Sequence, residues 1–217
     1  MVDAVIFDID GTLVDTLPVI YDTMNATLSD IWGGPKTNAE IEKLFGPTEE
    51  TLVGREVAPE ALAERMARFY AFYRSQHHRV SLYPGLADVL RRLAEAGVVL
   101  GVLTNKGRTT TQITLTEMGV GDLFADIQTG TEGEAKPDPK GLLALLGRIG
   151  SDPAHAVMVG DTPSDVNAGK GAGCLTIGAL WGRPEQEGRL VPLQPDLLAR
   201  HPSEILDFVR QRLGVAL

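Results

Sequence analysis

The chain has 217 residues, 43% of them hydrophobic and 23% charged, with a formal net charge of −9. That length suits one large domain or one domain with a smaller insertion. No run of 18 apolar residues is present to span a bilayer, and the acidic balance argues against nonspecific nucleic-acid binding, which depends on clustered Lys and Arg.

The first predicted element is a buried strand over Val5-Ile6-Phe7, reached directly from an N-terminus with no basic segment and hence no signal-peptide pattern. It ends on Asp8-Ile9-Asp10-Gly11-Thr12. A strand places i and i+2 on one face, so the carboxylates of Asp8 and Asp10 converge just beyond its tip. Their mutual repulsion there requires a cation or a shared proton. A simple turn is served by Asp10-Gly11 alone and leaves Asp8 unexplained.

Residues 16–80 show no buried strand. Helices are expected over 18–31, over 38–44 with an Asn cap, over 47–53 with Pro at an early position, and over 59–76. In the last, Leu62, Met66, Phe69, Tyr70 and Tyr73 recur at helical spacing and read as the core of a small helical bundle. Arg55, His77, His78 and Arg79 are candidate cations for a substrate carboxylate, with a solvated helix end as the competing reading of the paired histidines.

From Tyr83-Pro84-Gly85 onward helices and strands alternate. A helix carrying Leu86, Val89, Leu90 and Leu93 ends at Gly97, and a buried strand spans 98–103. A helix to residue 119, a short strand over 126–129, a helix over 140–149 and a strand over 156–159 follow. Next come a helix over 164–171, a strand over 175–177 and a closing amphipathic helix over 203–213. The single cysteine, Cys174, cannot make an internal disulfide and is expected as a buried strand residue in a reducing cytosol.

Such alternation implies an α/β fold: a Rossmann-like parallel sheet flanked by helices, with ligands at the carboxyl ends of its strands. Because the helical segment separates the first strand from its partners, it reads as an inserted all-α cap over 16–80. The core is then 1–15 with 81–217, and the hinges lie near 13–17 and 79–84.

Three more strand ends carry chemistry. Thr104-Asn105-Lys106-Gly107 offers a hydroxyl and amides to an anion, although Thr104 could equally cap the next helix; Lys106 and Arg108 add positive charge beside it. Lys136, in Glu134-Ala135-Lys136-Pro137-Asp138-Pro139, is stiffened by two prolines and reads as a fixed positive charge or as a solvated loop lysine. Gly160-Asp161-Thr162-Pro163-Ser164-Asp165 repeats the acid at a strand tip, while Asp165 in the first helical turn also has a purely structural reading. Hard oxygen ligands from two strand tips describe a magnesium site, and no His or Cys lies near for a softer metal.

These four segments, in this order, resemble the four motifs of the haloacid dehalogenase superfamily, over nearly the whole chain. The helical insertion resembles that family's small C1-type cap, and Phe45-Gly46-Pro47-Thr48 with Trp181-Gly182 is similar to its phosphoglycolate phosphatase-like group. The resemblance implies a cytoplasmic, Mg2+-dependent phosphatase that hydrolyses a small phosphorylated metabolite, phosphoglycolate foremost, through an aspartyl-phosphate. It implies Asp8 as nucleophile and Asp10 as general acid and then base. Gly11, Thr104, Asn105 and Lys136 would bind the phosphoryl group, with Thr104 and Lys136 also catalytic. Magnesium would be held by Asp8, Asp10 through its backbone carbonyl, and Asp161, with Asp165 supporting them. A monomer or homodimer without nucleic-acid or membrane partners is expected. Two further activities remain open on the same core, a sugar-phosphate mutase of the β-phosphoglucomutase type and an inorganic pyrophosphatase. Halide displacement does not need the acid Asp10. A phospho-accepting receiver module, the non-enzymatic alternative, is opposed by the acceptor's place on the first strand and by the insertion itself.

Overall fold

Four consecutive apolar residues, Ala4–Phe7, form β1, the strand on which the sheet is centred. The structure, a computed structural model, describes residues 2–213 and the side chains of residues 2–212. The other strands are β2 (Val99–Leu103), β3 (Asp126–Gln128), β4 (Ala156–Gly160), β5 (Leu175–Ala179) and β6 (Leu197–Ala199). All pair in parallel in the order β3-β2-β1-β4-β5-β6. Phe7 stands opposite both Val102 and Val159, so the carboxyl tips of β2, β1 and β4 lie side by side. This register brings residues about a hundred positions apart to one edge, at the reversal of strand order where open α/β sheets bind ligands.

Both faces of the sheet are covered, which explains its continuous apolar strands. Val5 and Phe7 face one apolar cluster together with Leu86 and Leu90 of α5 (Leu86–Glu95), Ile113 of α6 (Arg108–Glu117) and Ile205 of α10 (Ser203–Leu213). Ala4 and Ile6 face the other with Leu142 and Leu145 of α7 (Lys140–Ile149) and Ala172 of α8 (Pro163–Ala172). Gly101 lets this face pack closely: a Cβ there would stand 2.8 Å from Ile6 Cδ1 and force that side chain to shift.

Between β1 and α5 lie α1 (Leu17–Trp32), α2 (Asn38–Glu42), α3 (Glu49–Glu56) and α4 (Pro59–Ser75), the helical cap. Met66, Phe69 and Tyr73 of the expected stripe are buried and Leu62 and Tyr70 partly so, against Met24 and Leu28 of α1. The two segments that enter and leave the cap lie together: Val14 bridges to Leu82, and Tyr83 N–H donates to Leu13 O at 3.0 Å.

Several local details differ from expectation. The cap of α2 is Thr37, which forms a reciprocal box with Glu40, and not Asn38. Thr48 caps α3, leaving Pro47 outside the helix. β6 and the short α9 (Glu187–Leu190) were not foreseen. Leu197-Leu198-Ala199 carries no β-branched residue, and its strand conformation comes from pairing along β5 at the sheet edge. No helix among the described residues is long and apolar enough to cross a membrane.

Candidate active site

The carboxyl ends of β1, β2 and β4 open into a cavity of about 590 Å³ between core and cap. Asp8, Asp10, Thr104, Asn105, Lys106 and Lys136 line it from the core, and Ile20, Met24, Phe45 and Leu52 present apolar surface from the cap. The expected site residues therefore meet, with Asp161 and Asp165 buried directly beneath.

Asp8 follows β1, with its amide bonded to Val159 O at 2.9 Å. Gly11 turns the chain immediately after it at φ 86°, and a Cβ at that position would lie 2.6 Å from Asp161 Oδ2. Glycine is thus needed twice, for the left-handed backbone and for the close approach of the loop to Asp161. Thr12 Oγ1 donates to Asp161 Oδ1 at 3.0 Å, and Trp181 Nε1 donates to Thr12 O at 2.9 Å, so the segment after β5 anchors the loop from the far side.

Lys136 is buried with its ammonium 2.8 Å from Asp8 Oδ1 and 2.6 Å from Asp165 Oδ1. Its Nζ also donates to Leu103 O at 3.0 Å. The Asn105 side chain clamps the backbone of Lys136 in both directions, accepting from Lys136 N at 2.7 Å and donating to Lys136 O at 3.0 Å. The solvated-loop reading of Lys136 is thereby excluded. Thr104 is not a helix cap, since Gly107 holds that place for α6. Its hydroxyl oxygen instead accepts from Lys106 N at 3.2 Å, which leaves its O–H to donate into the cavity.

Asp165 serves two ends. Its Oδ2 accepts from Thr162 N at 2.9 Å and closes the box at the start of α8, while Oδ1 holds Lys136. Asp8, Asp161 and Asp165 each offer a carboxylate oxygen, all within 4.8 Å of one another. Asp161 Oδ2 is buried with no hydrogen-bond partner, and the nearest cation is Arg183 Nη1 at 3.6 Å. An orphaned carboxylate oxygen among three hard donors fits a divalent oxygen-seeking ion such as Mg2+.

The electrostatics agree. Burial pushes the Asp8 carboxyl up to about 7; Lys136 opposes this, but its charge is shared with Asp165, whose own charge pushes Asp8 further up. Burial, then the Asp165 and Asp8 charges, likewise raise Asp161 well above the carboxylate range. Burial alone would depress Lys136, yet Asp165 and Asp8 raise it on balance, so it stays charged.

Other sequence expectations settle differently. Lys106, read as a flanking charge, is buried against Asp10, Glu49 and Tyr73. His77 is neither a solvated helix end nor a cavity cation: it is buried, bonded to Tyr73 O at 2.9 Å and Thr114 Oγ1 at 3.0 Å, and burial lowers its pKa. Arg79 pairs with Asp22 at 2.6 Å, and Arg55, His78 and Arg79 do not line the cavity. The cavity's additional cations are Arg183 and Arg189, which the sequence reading missed. Position after Trp181-Gly182 was the only available signal for Arg183. Glu49, also missed, was legible only as one of two acids at a helix start.

A family model described as haloacid dehalogenase-like hydrolase matches residues 5–179. A phosphoglycolate phosphatase of Rhodospirillum rubrum is 37% identical over 195 residues, covering 84% of this chain and 81% of that protein. The pyrophosphatase PpaX of Bacillus velezensis is 34% identical over 208 residues, covering 94% of this chain and 95% of that one. The crystal structure described as a predicted phosphoglycolate phosphatase from Haemophilus somnus superposes with a TM-score of 0.80 at 26% identity, covering 96% of this chain and 98% of that one. With the strand-tip acids and the clamped lysine gathered on one parallel sheet, this chain belongs to the haloacid dehalogenase-like hydrolases, and it is a phosphatase among them.

Proposed function

We propose that the protein is a Mg2+-dependent phosphatase for a small phosphomonoester carrying a second anionic group, of which phosphoglycolate is the leading example. The observation that carries this reading is the setting of Asp8: a buried carboxylate on the cavity floor, 2.8 Å from the Lys136 ammonium and beside two further acids.

In this reading one Asp8 oxygen attacks phosphorus while the bond from phosphorus to the leaving oxygen breaks. Asp10 gives its proton to that oxygen, so the alcohol departs neutral and an aspartyl-phosphate remains. Asp10 then takes a proton from water, whose oxygen attacks phosphorus. The Asp8–phosphorus bond breaks, and inorganic phosphate leaves with Asp8 restored. Thr104 O–H and the amide of Asn105 hold the phosphoryl oxygens, Gly11 lets the loop approach them, and Lys136 offsets the charge gathering on Asp8 and the transferred group. Magnesium would be held by Asp8, the backbone carbonyl of Asp10 and Asp161, with Asp165 fixing Lys136 beside them. When bound it would neutralise charge on the phosphoryl group.

The cap, taken as residues 16–80 between hinges near 13–17 and 79–84, lays apolar Ile20, Met24 and Leu52 over this floor and excludes water during the first step. Arg183 and Arg189 line the same cavity and suit a carboxylate or a second phosphate. A buried lone cysteine fits a cytoplasmic location.

The second reading, hydrolysis of inorganic pyrophosphate, is supported by the 34% identity to a pyrophosphatase. Phosphate release from phosphoglycolate, pyrophosphate, glucose 1-phosphate and p-nitrophenyl phosphate, with and without magnesium, tests both. Magnesium-dependent release with highest kcat/KM for phosphoglycolate is expected. A preference for pyrophosphate would establish the second reading, and isomerised sugar phosphate without release would overturn both.

A further inference from the structure

We propose that Lys106 is the positioning residue of Asp10, and that Glu49, carried by the cap, completes its setting, so that docking of the cap and alignment of Asp10 are one event. This rests on the acid–base role given to Asp10 above.

The Lys106 side chain is 1% exposed, and its ammonium meets three groups from three separate segments. Asp10 Oδ2 lies at 3.3 Å, Glu49 Oε1 at 3.5 Å, and the Tyr73 ring centroid at 4.8 Å. The other Asp10 oxygen accepts from the Thr16 hydroxyl at the entry to the cap. Asp10 is therefore held by one donor on each oxygen, and only the lysine comes from the core domain's second motif loop.

A lysine has a long flexible stem, and a carboxylate hung from it is no better placed than the ammonium. Glu49 and Tyr73, both from the cap, confine that ammonium. Glu49 is itself tied to the core: Oε2 accepts from Gly107 N at 2.7 Å and Oε1 from Thr110 Oγ1 at 2.9 Å. α6 starts at a glycine that offers no capping side chain and has no acid in its first turn, and a carboxylate from the cap accepts from the amide of that glycine.

Gly107 supplies an independent observation. Its φ of −67° is open to any residue. Yet a Cβ there would stand 2.5 Å from Glu50 Oε2 and 2.8 Å from Glu49 Oε2. A Cβ at this point would push the cap carboxylates off the loop without straining the backbone.

The test is a cycle of Lys106→Met and Asp10→Asn, read as kcat and KM with a phosphomonoester and magnesium, each variant checked for native circular dichroism. Lys106→Met should lower kcat about 100-fold with KM within about threefold, the scale expected when a catalytic group is misplaced by about 1 Å. In the Asp10→Asn background the same change should cost less than about threefold, because the group it positions is gone. Lys106→Arg should recover part of the loss. Gly107→Ala, which alters no charge and displaces only the cap carboxylates, should lower kcat about tenfold in the wild-type background and hardly at all with Asp10→Asn. It also carries the test if Lys106→Met fails to fold.

Equal losses in both Asp10 backgrounds, or a loss borne by KM, would overturn the proposal and mark Lys106 as a substrate contact or a structural residue. Unchanged turnover of Asp10→Asn itself would instead overturn the acid–base assignment, and this inference with it.

Discussion

Raising the pH should destabilise the metal-free protein through Asp8. Burial, opposed by Lys136 and reinforced by Asp165, moves this carboxyl from 3.8 to about 7. Over that interval the folded state keeps a proton that the unfolded chain releases, so stability falls as pH rises. The contribution, about 4 kcal/mol in full, is complete below pH 3.8 and is lost as pH rises through about 7. About 2 kcal/mol of this lies between pH 5 and pH 7. For a chain of this size the melting temperature should fall by about 4–8 °C across that range. The assay is thermal unfolding in excess chelator at pH 5, 6 and 7, on the wild type and on Asp8→Asn. Other carboxylates and histidines titrate in the same range, and the difference between the two proteins isolates Asp8. Magnesium should raise the wild-type melting temperature more at pH 7 than at pH 5, where protons compete for the same oxygens. Parallel pH profiles for the two proteins, or a magnesium effect independent of pH, would refute the reasoning.

Other consequences can be checked directly. Asp10→Asn should still form the aspartyl-phosphate from an activated aryl phosphate but release it slowly, so rapid-quench labelling should show accumulated phosphoenzyme; normal steady-state turnover would count against the role. Gly11→Ala should weaken magnesium binding by at least tenfold in calorimetric titration, because its Cβ would lie 2.6 Å from Asp161 Oδ2 on a backbone at φ 86°. Lys136→Met leaves Asp8 and Asp165 buried without their shared cation and should cost about 3–5 kcal/mol in urea unfolding, besides abolishing turnover. Cys174 is buried and its thiol is pushed up to about 12, first by burial, so a thiol reagent should label it only at the rate of unfolding; fast labelling of the native protein would contradict its placement.

The core's alternation of strands and helices was legible because parallel strands buried on both faces read as continuous apolar runs. The helix over residues 140–149 has the same bounds in α7, and the aromatic stripe of residues 59–76 lies where a bundle core requires it. Edge features were less legible. β6 takes its conformation from the neighbouring strand, the cap at Thr37 depends on which of two adjacent polar residues bonds the next turn, and the start of α3 on Thr48 instead of Pro47 depends on the Thr48 hydroxyl reaching Thr51 N.

By itself the sequence singled out the residues to which the proposed chemistry is assigned: acids and a hydroxyl just past the ends of β1, β2 and β4, and a lysine in the loop between β3 and α7, each marked by local pattern and residue type. Only the tertiary structure decided how those groups are paired. Lys136 bridges Asp8 and Asp165, Asn105 clamps the backbone of Lys136, Asp161 keeps an unpartnered oxygen, and His77 packs inside instead of facing solvent. Lys106 and Glu49 lie 57 residues apart yet share one buried contact. Pairings of that kind follow from strand register and the seating of the cap, and neither is encoded in the neighbourhood of any single residue.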